Sequence, residues 1–304
     1  MKQLGFIKSK DLCLEIFPQK KPKTIFYKPS YSSGNGTLQI EKLFNKRVFS
    51  NPKPLQLLWG FIEIGLSRND TILDFFAGSG TIADAVMQLN AKDDGDRKYI
   101  LVQLPEKIDK KKNKTAYDFV KDELKANNPT IFDITKERLI RAGNKIQADN
   151  KASKIPKDLS KQDFGFKVFE TMPIWEDYDF EADEFDKQQT LFNEITLTEN
   201  DIKALLTTWK TYDGIALTCD LEAIDLGGYC GYYASQKLYL MDQGFKTENL
   251  VKLLEKIDKD TNFNPTSVVA FGYHFESKNL RENSENLKSY ANKKQMDIDF
   301  IIRY

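Results

Sequence analysis

The chain has 304 residues, of which 40% are hydrophobic and 30% charged, and its formal net charge is zero, a composition typical of a globular protein with one large or two ordinary domains. Three cysteines without a Cys-x-x-Cys spacing and a single histidine, His274, argue against a disulfide framework and a metal site. No apolar segment is long enough to span a membrane, and Met1–Lys20 lacks a signal-peptide core, so we expect a cytoplasmic protein.

The N-terminal segment is basic although the whole chain is neutral. Residues 1–60 contain eleven lysines and arginines against three acidic residues, a net charge of +8, with aromatic residues between them. Lysine and arginine make most protein contacts to nucleic-acid phosphates, so residues 1–45 are predicted to form a DNA-facing arm. An ordinary lysine-rich solvated surface explains the composition equally well.

A proline-containing segment, Phe49–Pro54, precedes an apolar helix. Pro54 suits the first helical position, because the N–H that proline lacks has no partner there in any helix. The apolar residues that follow recur at helical spacing: Leu55, Leu58, Ile62 and Leu66. Taken alone, these residues predict a core helix that starts at a proline.

The most informative stretch begins at Thr71. An apolar strand, Thr71–Phe76, is followed by a Gly-Ser-Gly turn and by a helix that begins near Thr81. Glycine has no Cβ, so such a turn lets backbone N–H groups and a helix N-terminus approach a small polar ligand. Asp74 lies near the carboxyl end of the strand, where open α/β sheets bind ligands. The stretch predicts a cofactor pocket. It lacks the Gly-Lys-Ser/Thr that ends a P-loop, and Ala83 stands where the dinucleotide-binding pattern has its third glycine.

The string Asp74–Thr81 resembles the S-adenosylmethionine-binding motif of amino-methylating DNA methyltransferases. An Asn-Pro-Lys-Pro helix start upstream of the glycine turn is similar to the arrangement in methyltransferases whose cofactor half follows the catalytic half. The resemblance implies an α/β fold with a Rossmann-like sheet and S-adenosylmethionine as the cofactor. It implies cofactor contacts from residues of both segments: Phe49, Asn51, Lys53, Asp74, Phe76, Gly78, Ser79, Gly80 and Thr81.

A second apolar strand, Lys98–Glu106, ends near a proline. In doubly wound sheets the ribose hydroxyls of a nucleoside cofactor are usually bound at the end of this strand. Glutamine can donate and accept hydrogen bonds, so we expect Gln103 to be the first ribose contact and Glu106 the second. The Gln-Leu-Pro-Glu ending resembles the Mod (modification) subunits of type III restriction systems, whereas most related methyltransferases have a carboxylate at the position of Gln103.

The resemblance extends roughly from Lys42 to Tyr304. Asp133–Ala142 resembles the next helix of Mod subunits, and Phe164–Phe169 the strand after it. The resemblance implies that residues 46–150 form the S-adenosylmethionine-binding domain, with a partial Rossmann-like methyltransferase sheet.

The charge changes sign in the middle of the chain. Residues 170–201 contain eleven acidic residues against Lys187 alone, a net charge of −10. Such a cluster of carboxylates is typical of an exposed linker rather than a metal site, and aromatic residues within it indicate that it docks on another surface. We expect residues 151–197 to be an acidic linker or docking segment that repels DNA.

From Thr198 onward, helical and strand patterns alternate. Thr198–Asp201 predicts a capping-box helix start, with Asp in place of the usual Glu or Gln. Strands are predicted at Ile215–Leu221, Lys237–Met241, Ser267–Tyr273 and Asp297–Ile302, and helices at Lys246–Lys256 and Leu280–Ala291. This alternation predicts a second small α/β domain over residues 198–304. The resemblance implies that this domain pairs two Mod copies and contacts the restriction (Res) subunit.

One motif of the family is missing. The family methylates adenine with an Asp/Asn-Pro-Pro-Tyr/Phe motif that holds the flipped base, and the sequence contains no Pro-Pro pair. We therefore expect no catalytic residue here, and interpret the chain as the C-terminal part of a type III adenine-N6 DNA methyltransferase that binds its cofactor but is inactive alone. A shortened gene product and a split enzyme, completed by a separate N-terminal Mod fragment, both agree with this interpretation.

Two other functions remain open. The chain agrees with a catalytically silent assembly module that pairs with a full-length Mod or a restriction subunit, in which the glycine turn is only a structural remnant. A nicotinamide-dependent oxidoreductase is the third interpretation, and binding of a dinucleotide would be needed to support it.

Overall fold

The computed structural model describes the backbone of residues 3–10 and 13–19, and the full structure of Phe26, residues 28–171 and residues 198–304 apart from the Ser277 side chain. The chain divides into two compact units, Met1–Phe166 and Lys167–Tyr304. Most of the predicted acidic docking segment, residues 172–197, lies outside the described residues, as do the side chains of residues 1–25 in the predicted DNA-facing arm.

The first unit contains a hairpin, a short parallel sheet and five α-helices in its described residues. Its elements are β1 (Gln3–Lys10), β2 (Cys13–Gln19), α1 (Ser33–Phe44), α2 (Leu55–Gly65), β3 (Thr71–Asp74), α3 (Thr81–Asp93), β4 (Lys98–Leu101), α4 (Lys114–Asp118) and α5 (Ile131–Lys151). β1 and β2 pair antiparallel, whereas β3 and β4 pair parallel with Leu73 opposite Ile100. Parallel neighbours need a crossover connection, and α3 supplies it.

Helices cover one face of the β3–β4 pair. Ile72 packs in a core cluster with apolar residues of α2 and α3, and Leu101 packs in a second cluster with residues of α3 and α5. Successive side chains of a strand point to opposite faces, so the residues that alternate with these two point away from the helices.

The start of α2 differs by one residue from the prediction. Pro54 is the capping residue, with an extended ψ of 133°, and the helix begins at Leu55. Pro54 has no side-chain oxygen that could accept from the first N–H groups of the helix. The Leu55 N–H instead donates to Gln39 Oε1 of the neighbouring helix α1 at 2.9 Å.

The second unit is a five-stranded mixed sheet with helices on both faces. Its elements are α6 (Glu199–Tyr212), β5 (Glu222–Asp225), β6 (Cys230–Ala234), β7 (Lys237–Leu240), α7 (Thr247–Lys259), β8 (Ser267–Phe271), α8 (Ser277–Lys294) and β9 (Asp299–Arg303). The strand order follows the sequence; β5, β6 and β7 pair antiparallel, and β7, β8 and β9 pair parallel.

The alternation of side chains in β7 separates two hydrophobic cores. Leu238 and Leu240 pack with residues of α7 and α8, whereas Tyr239 and Met241 pack with residues of α6. Both faces of this sheet are therefore buried by helices of the same unit.

The predictions of helices and strands are confirmed for α3, α5, α6, β7, α7, β8, α8 and β9, with ends that differ by a few residues. The capping box at Thr198 is confirmed, because the Thr198 N–H and hydroxyl both donate to Asp201 Oδ2, at 2.8 and 2.6 Å, and the Asp201 N–H donates back to the Thr198 hydroxyl. Strands β1, β2, β5 and β6 and helices α1 and α4 were not predicted.

Two predicted strands are wrong. Phe164–Phe169 has no regular secondary structure and joins no sheet in the part of the chain that the structure describes, although Phe164 and Phe166 pack with residues of α3 and α5. Ile215–Leu221 is irregular, and the strand begins only at Glu222. The buried Lys210 ammonium donates to the carbonyls of Leu217 and Cys219, so these backbone acceptors are satisfied without a neighbouring strand.

The described residues show no helix that is long and apolar enough to cross a membrane. Over the same residues, no group of three metal-ligating side chains comes together. Cys219 and Cys230 are both unpaired cysteines.

The capping box gives a prediction about the second unit. Thr198→Ala removes the hydroxyl that accepts from the Asp201 N–H, and we expect the free energy of unfolding to fall by about 1 kcal/mol. Urea denaturation followed by tryptophan fluorescence measures the loss. The matched control is Thr207→Ala on the same helix, where the hydroxyl donates only to the Lys203 carbonyl. We expect no loss there, because alanine favours the helix, and equal losses in the two variants would contradict the assigned cap.

Candidate cofactor site

The glycine turn between β3 and α3 has a backbone that only glycine adopts easily. Gly78 has a φ of 55° and Gly80 a φ of 74°, both in the left-handed region. A Cβ at Gly80 would lie 2.7 Å from Leu139 Cδ1 of α5, so a side chain here would also have to displace the end of Leu139. These two glycines bring backbone to the carboxyl ends of the parallel strands, as the sequence predicts.

Asp74 closes the end of β3. Its Oδ1 accepts a hydrogen bond from the Phe76 N–H at 3.0 Å, and its carbonyl accepts from the Val102 N–H at 2.8 Å. The Ala77 N–H in turn donates to the Val102 carbonyl at 3.1 Å. The turn is thus tied to the end of β4, and the Phe76 ring is left 88% exposed beside it.

Gln103 connects the second strand to the turn. Its Oε1 accepts from the Gly78 N–H at 2.7 Å, and its Nε2 donates to the Leu104 carbonyl at 3.0 Å. The carboxamide therefore stands at the carboxyl end of β4 and contacts the turn directly. A ligand that takes the Gly78 N–H has to replace its hydrogen bond to Gln103, whereas the carboxamide itself has a second N–H and a further oxygen lone pair to offer.

Ser79 and Thr81 face the interior rather than the open side of the turn. Arg138 of α5 donates from one Nη1 to Ser79 Oγ at 2.9 Å and to Thr81 Oγ1 at 2.6 Å. Its Nε and Nη2 donate to Asp84 Oδ2 at 3.1 and 3.0 Å. Both hydroxyls are engaged in this buried network, so a ligand on the open side meets the backbone of these two residues.

The guanidinium of Arg138 is buried almost completely, with 1% of the residue exposed. Burial lowers the pKa of Arg138, and the adjacent Asp84 carboxylate opposes that shift. Thr135, one turn earlier on α5, donates its hydroxyl to the Gly78 carbonyl at 2.5 Å. Helix α5 therefore holds the glycine turn from behind through two polar side chains.

Sequence reasoning did not assign Arg138 or Thr135 to the site. The signal that was available is a charged residue in an apolar stripe, because Ile134, Arg138 and Ala142 share one face of α5 and all three are buried. A buried arginine needs a carboxylate partner, which indicates an ion pair but not its location.

The remaining predicted contacts are Phe49, Asn51, Lys53 and Glu106. Phe49 lies beside it, with its Cζ 3.6 Å from the position that a Cβ of Gly78 would take. Asn51 and Lys53 are exposed, and they alternate with the buried Pro52 and Pro54. Glu106 is also exposed, beyond the end of β4.

The structure thus brings most of the predicted residues together at one edge of the β3–β4 pair. Their contacts to a cofactor stay predictions. At Ser79 and Thr81 we expect the backbone to make the contact, because both hydroxyls accept hydrogen bonds from Arg138. The chemistry of the edge is that of a small polar ligand site. It has an exposed aromatic ring, a carboxylate, a carboxamide and the N-terminus of α3, whose capping residue Gly80 supplies no side-chain cap.

Two families match separate parts of the chain. Residues 15–112, which include the glycine turn and β4, match the DNA methylase family. Residues 200–296 of the second unit match the family described as the type III restriction-modification EcoP15I C-terminal domain.

Curated relatives match almost the whole chain. The EcoPI Mod subunit of Escherichia phage P1 is 40% identical over 292 residues, which is 94% of this chain and 42% of the relative. The EcoP15I Mod subunit of Escherichia coli is 39% identical over 269 residues, 88% of this chain and 38% of the relative. The StyLTI Mod subunit of Salmonella typhimurium is 31% identical over 305 residues, which is 93% of this chain and 44% of the relative. The chain spans less than half the length of these type III Mod subunits.

The Arg138 network gives a prediction about stability. Arg138→Met leaves the Asp84 carboxylate buried without its partner, and we expect the free energy of unfolding to fall by about 3–5 kcal/mol. Urea denaturation measures the loss. The double variant Asp84→Leu/Arg138→Met removes both charges, so it is expected to regain a large part of the stability.

The control is Arg68→Met, at an arginine whose side chain is 66% exposed and pairs with Asp93 at 3.6 Å. An exposed pair of this kind contributes about 0–1 kcal/mol. A loss at Arg138 no larger than the loss at Arg68 would show that the buried pair does not hold the turn.

Proposed function

Because the chain is related over nearly its whole length to the Mod subunits of type III restriction-modification enzymes, we propose that it is the cofactor-binding part of an adenine-N6 DNA methyltransferase. The observation that carries this proposal is the glycine turn at the carboxyl ends of β3 and β4, with Gly78 and Gly80 in the left-handed conformation and Gln103 beside them. The part matched by the DNA methylase family includes all of these residues.

The proposed cofactor is S-adenosylmethionine, and the residues present fit it. A zwitterionic methionine end suits the N-terminus of α3 together with the carboxylate of Asp74, because the first binds an anion and the second a cation. The exposed Phe76 ring offers an apolar surface beside the turn. Gln103 and Glu106 are the proposed ribose contacts, and Phe49, Asn51 and Lys53 are the proposed contacts of the segment before α2.

When bound, S-adenosylmethionine supplies an electrophilic methyl group. The chain's own contribution is to hold and orient the donor, since positioning accounts for much of the barrier reduction in such a transfer. The adenine pocket would be formed by an Asp/Asn-Pro-Pro-Tyr/Phe motif outside these 304 residues, because this sequence contains no Pro-Pro pair. We therefore propose that the chain does not methylate DNA alone.

The proposed partners follow from the same relatives. The match of residues 200–296 to the EcoP15I C-terminal domain supports a role of the second unit in binding a second Mod copy and a restriction subunit. The basic N-terminal arm is the proposed DNA contact, and the cytoplasm is the proposed location.

One observation favours a second candidate, the silent assembly module. The Gly78 N–H is already satisfied by Gln103, so the turn is stable without a ligand. Both candidates predict association, so binding of S-adenosylmethionine separates them, and size-exclusion chromatography with light scattering tests the assembly module itself. A chain that stays monomeric and binds neither a Mod subunit nor a restriction subunit would exclude the assembly module.

Cofactor binding is the direct test of the proposal. We expect titration calorimetry to show that the chain binds S-adenosylmethionine, and that Phe76→Ala weakens the affinity about tenfold through loss of one aromatic contact. Phe76 is 88% exposed, so the free energy of unfolding should stay unchanged. Phe75→Ala, at a ring that is 64% exposed in the same segment, is the matched control and should bind normally. Absence of binding, even after a Mod fragment with the Pro-Pro motif is added, would refute the proposal.

A further inference from the structure

The second unit contains a polar cavity where two of its helices begin. Its volume is about 170 Å³, several times the roughly 30 Å³ that one water occupies in the liquid. Five of its six lining residues have polar side chains, and the six are Phe245, Lys246, Thr247, Asn279, Glu282 and Asn283. The cavity is therefore suited to a small polar ligand.

The cavity lies at the edge of the sheet where α/β proteins bind ligands. Strands β7 and β8 run parallel, α7 follows β7 and α8 follows β8, so both helices begin near the carboxyl ends of strands. In open α/β sheets, ligands bind outside these ends. Helices α7 and α8 also pack on the same face of the sheet, so their N-termini stand on the same side of it.

Neither helix has a side-chain cap at its N-terminus. The capping residues are Lys246 for α7 and Glu276 for α8, and neither side chain accepts a hydrogen bond from the first turn. The first N–H groups of a helix have no partner within the helix, and the helix dipole gives them a partial positive charge. Two helix starts at one cavity thus favour an anion.

Asn283 is the side chain that indicates a ligand. It lies one turn after Asn279 on α8, lines the cavity and is only 4% exposed. Its carboxamide forms no hydrogen bond with any residue that the structure describes. The buried Asn249 of α7, in contrast, donates to the Leu226 carbonyl at 2.8 Å and accepts from the Lys246 N–H at 2.7 Å. Buried polar groups are normally paired in this way, so the Asn283 carboxamide is available to a ligand in the cavity.

The charges of the lining also favour an anion. Lys246 is its one cationic side chain, and it forms no ion pair within the described residues. Glu282 is its one carboxylate, and that carboxylate pairs with Lys278 Nζ at 3.9 Å. The negative charge is therefore offset by a lysine outside the cavity, whereas the positive charge of Lys246 is left for a ligand.

We propose that this cavity binds a small phosphate monoester. The phosphate accepts from the N-termini of α7 and α8 and from Lys246, and the esterified group forms hydrogen bonds with Asn279 and Asn283. Phosphate suits this set better than a carboxylate does, because its three terminal oxygens accept from more donors than two oxygens can. The inference is independent of the proposed function, because the cavity lies in the second unit and uses no residue of the glycine turn.

Titration calorimetry of the full chain with glycerol phosphate and with inorganic phosphate tests the proposal. We expect both to bind, and glycerol phosphate to bind about tenfold more tightly because its hydroxyls contact the carboxamides. Lys246→Met removes the cation and Asn283→Ala removes the buried carboxamide. Each variant should weaken the binding of glycerol phosphate about tenfold.

The matched controls are Lys288→Met and Asn286→Ala, at exposed residues of α8 that do not line the cavity. Both should bind glycerol phosphate normally. Circular dichroism should show that all four variants fold, because Asn283 has no protein partner to lose within the described residues and the other three side chains are exposed. The inference is overturned if glycerol phosphate does not bind, if inorganic phosphate or acetate binds as tightly, or if the cavity variants bind as the controls do.

Discussion

A buried ion pair determines the geometry of the candidate site. Arg138 joins three elements, because its guanidinium on α5 contacts α3 through Asp84 and Thr81 and the glycine turn through Ser79. The desolvation of a guanidinium costs several kcal/mol. The hydrogen bonds that Arg138 donates to the Asp84 carboxylate and to the Ser79 and Thr81 hydroxyls offset this cost. The turn is thus supported on its inner side by α5, while its open side keeps an aromatic ring and a helix N-terminus for a ligand.

Local chemistry made much of this fold predictable. The glycine turn, the capping box at Thr198 and the apolar strands β7 and β8 depend on residues close together in sequence. The contacts that complete the site do not, since Arg138 lies 57 residues from Thr81 and Gln103 lies 25 residues from Gly78. The error at residues 215–221 has the same origin, because a lysine side chain from the preceding helix satisfies carbonyls that an apolar pattern assigns to a strand.

The two units differ in how complete they are. The sheet of the second unit is covered by α6 on one face and by α7 and α8 on the other, so its cores close within the unit. The β3–β4 pair, which carries the glycine turn at its carboxyl end, is covered by helices on one face only in the described residues. The unit that matches the type III C-terminal domain family therefore buries both faces of its sheet, whereas the unit with the candidate site leaves one face of its parallel strands exposed in the described residues.

The face of the β3–β4 pair that helices leave uncovered has a consequence for the behaviour of the protein in solution. Leu73 and Ile100 lie opposite each other on this face and are 47% and 50% exposed. Exposed apolar side chains on a short sheet are a template for non-native association, so solubility of the first unit would fall steeply as its concentration rises.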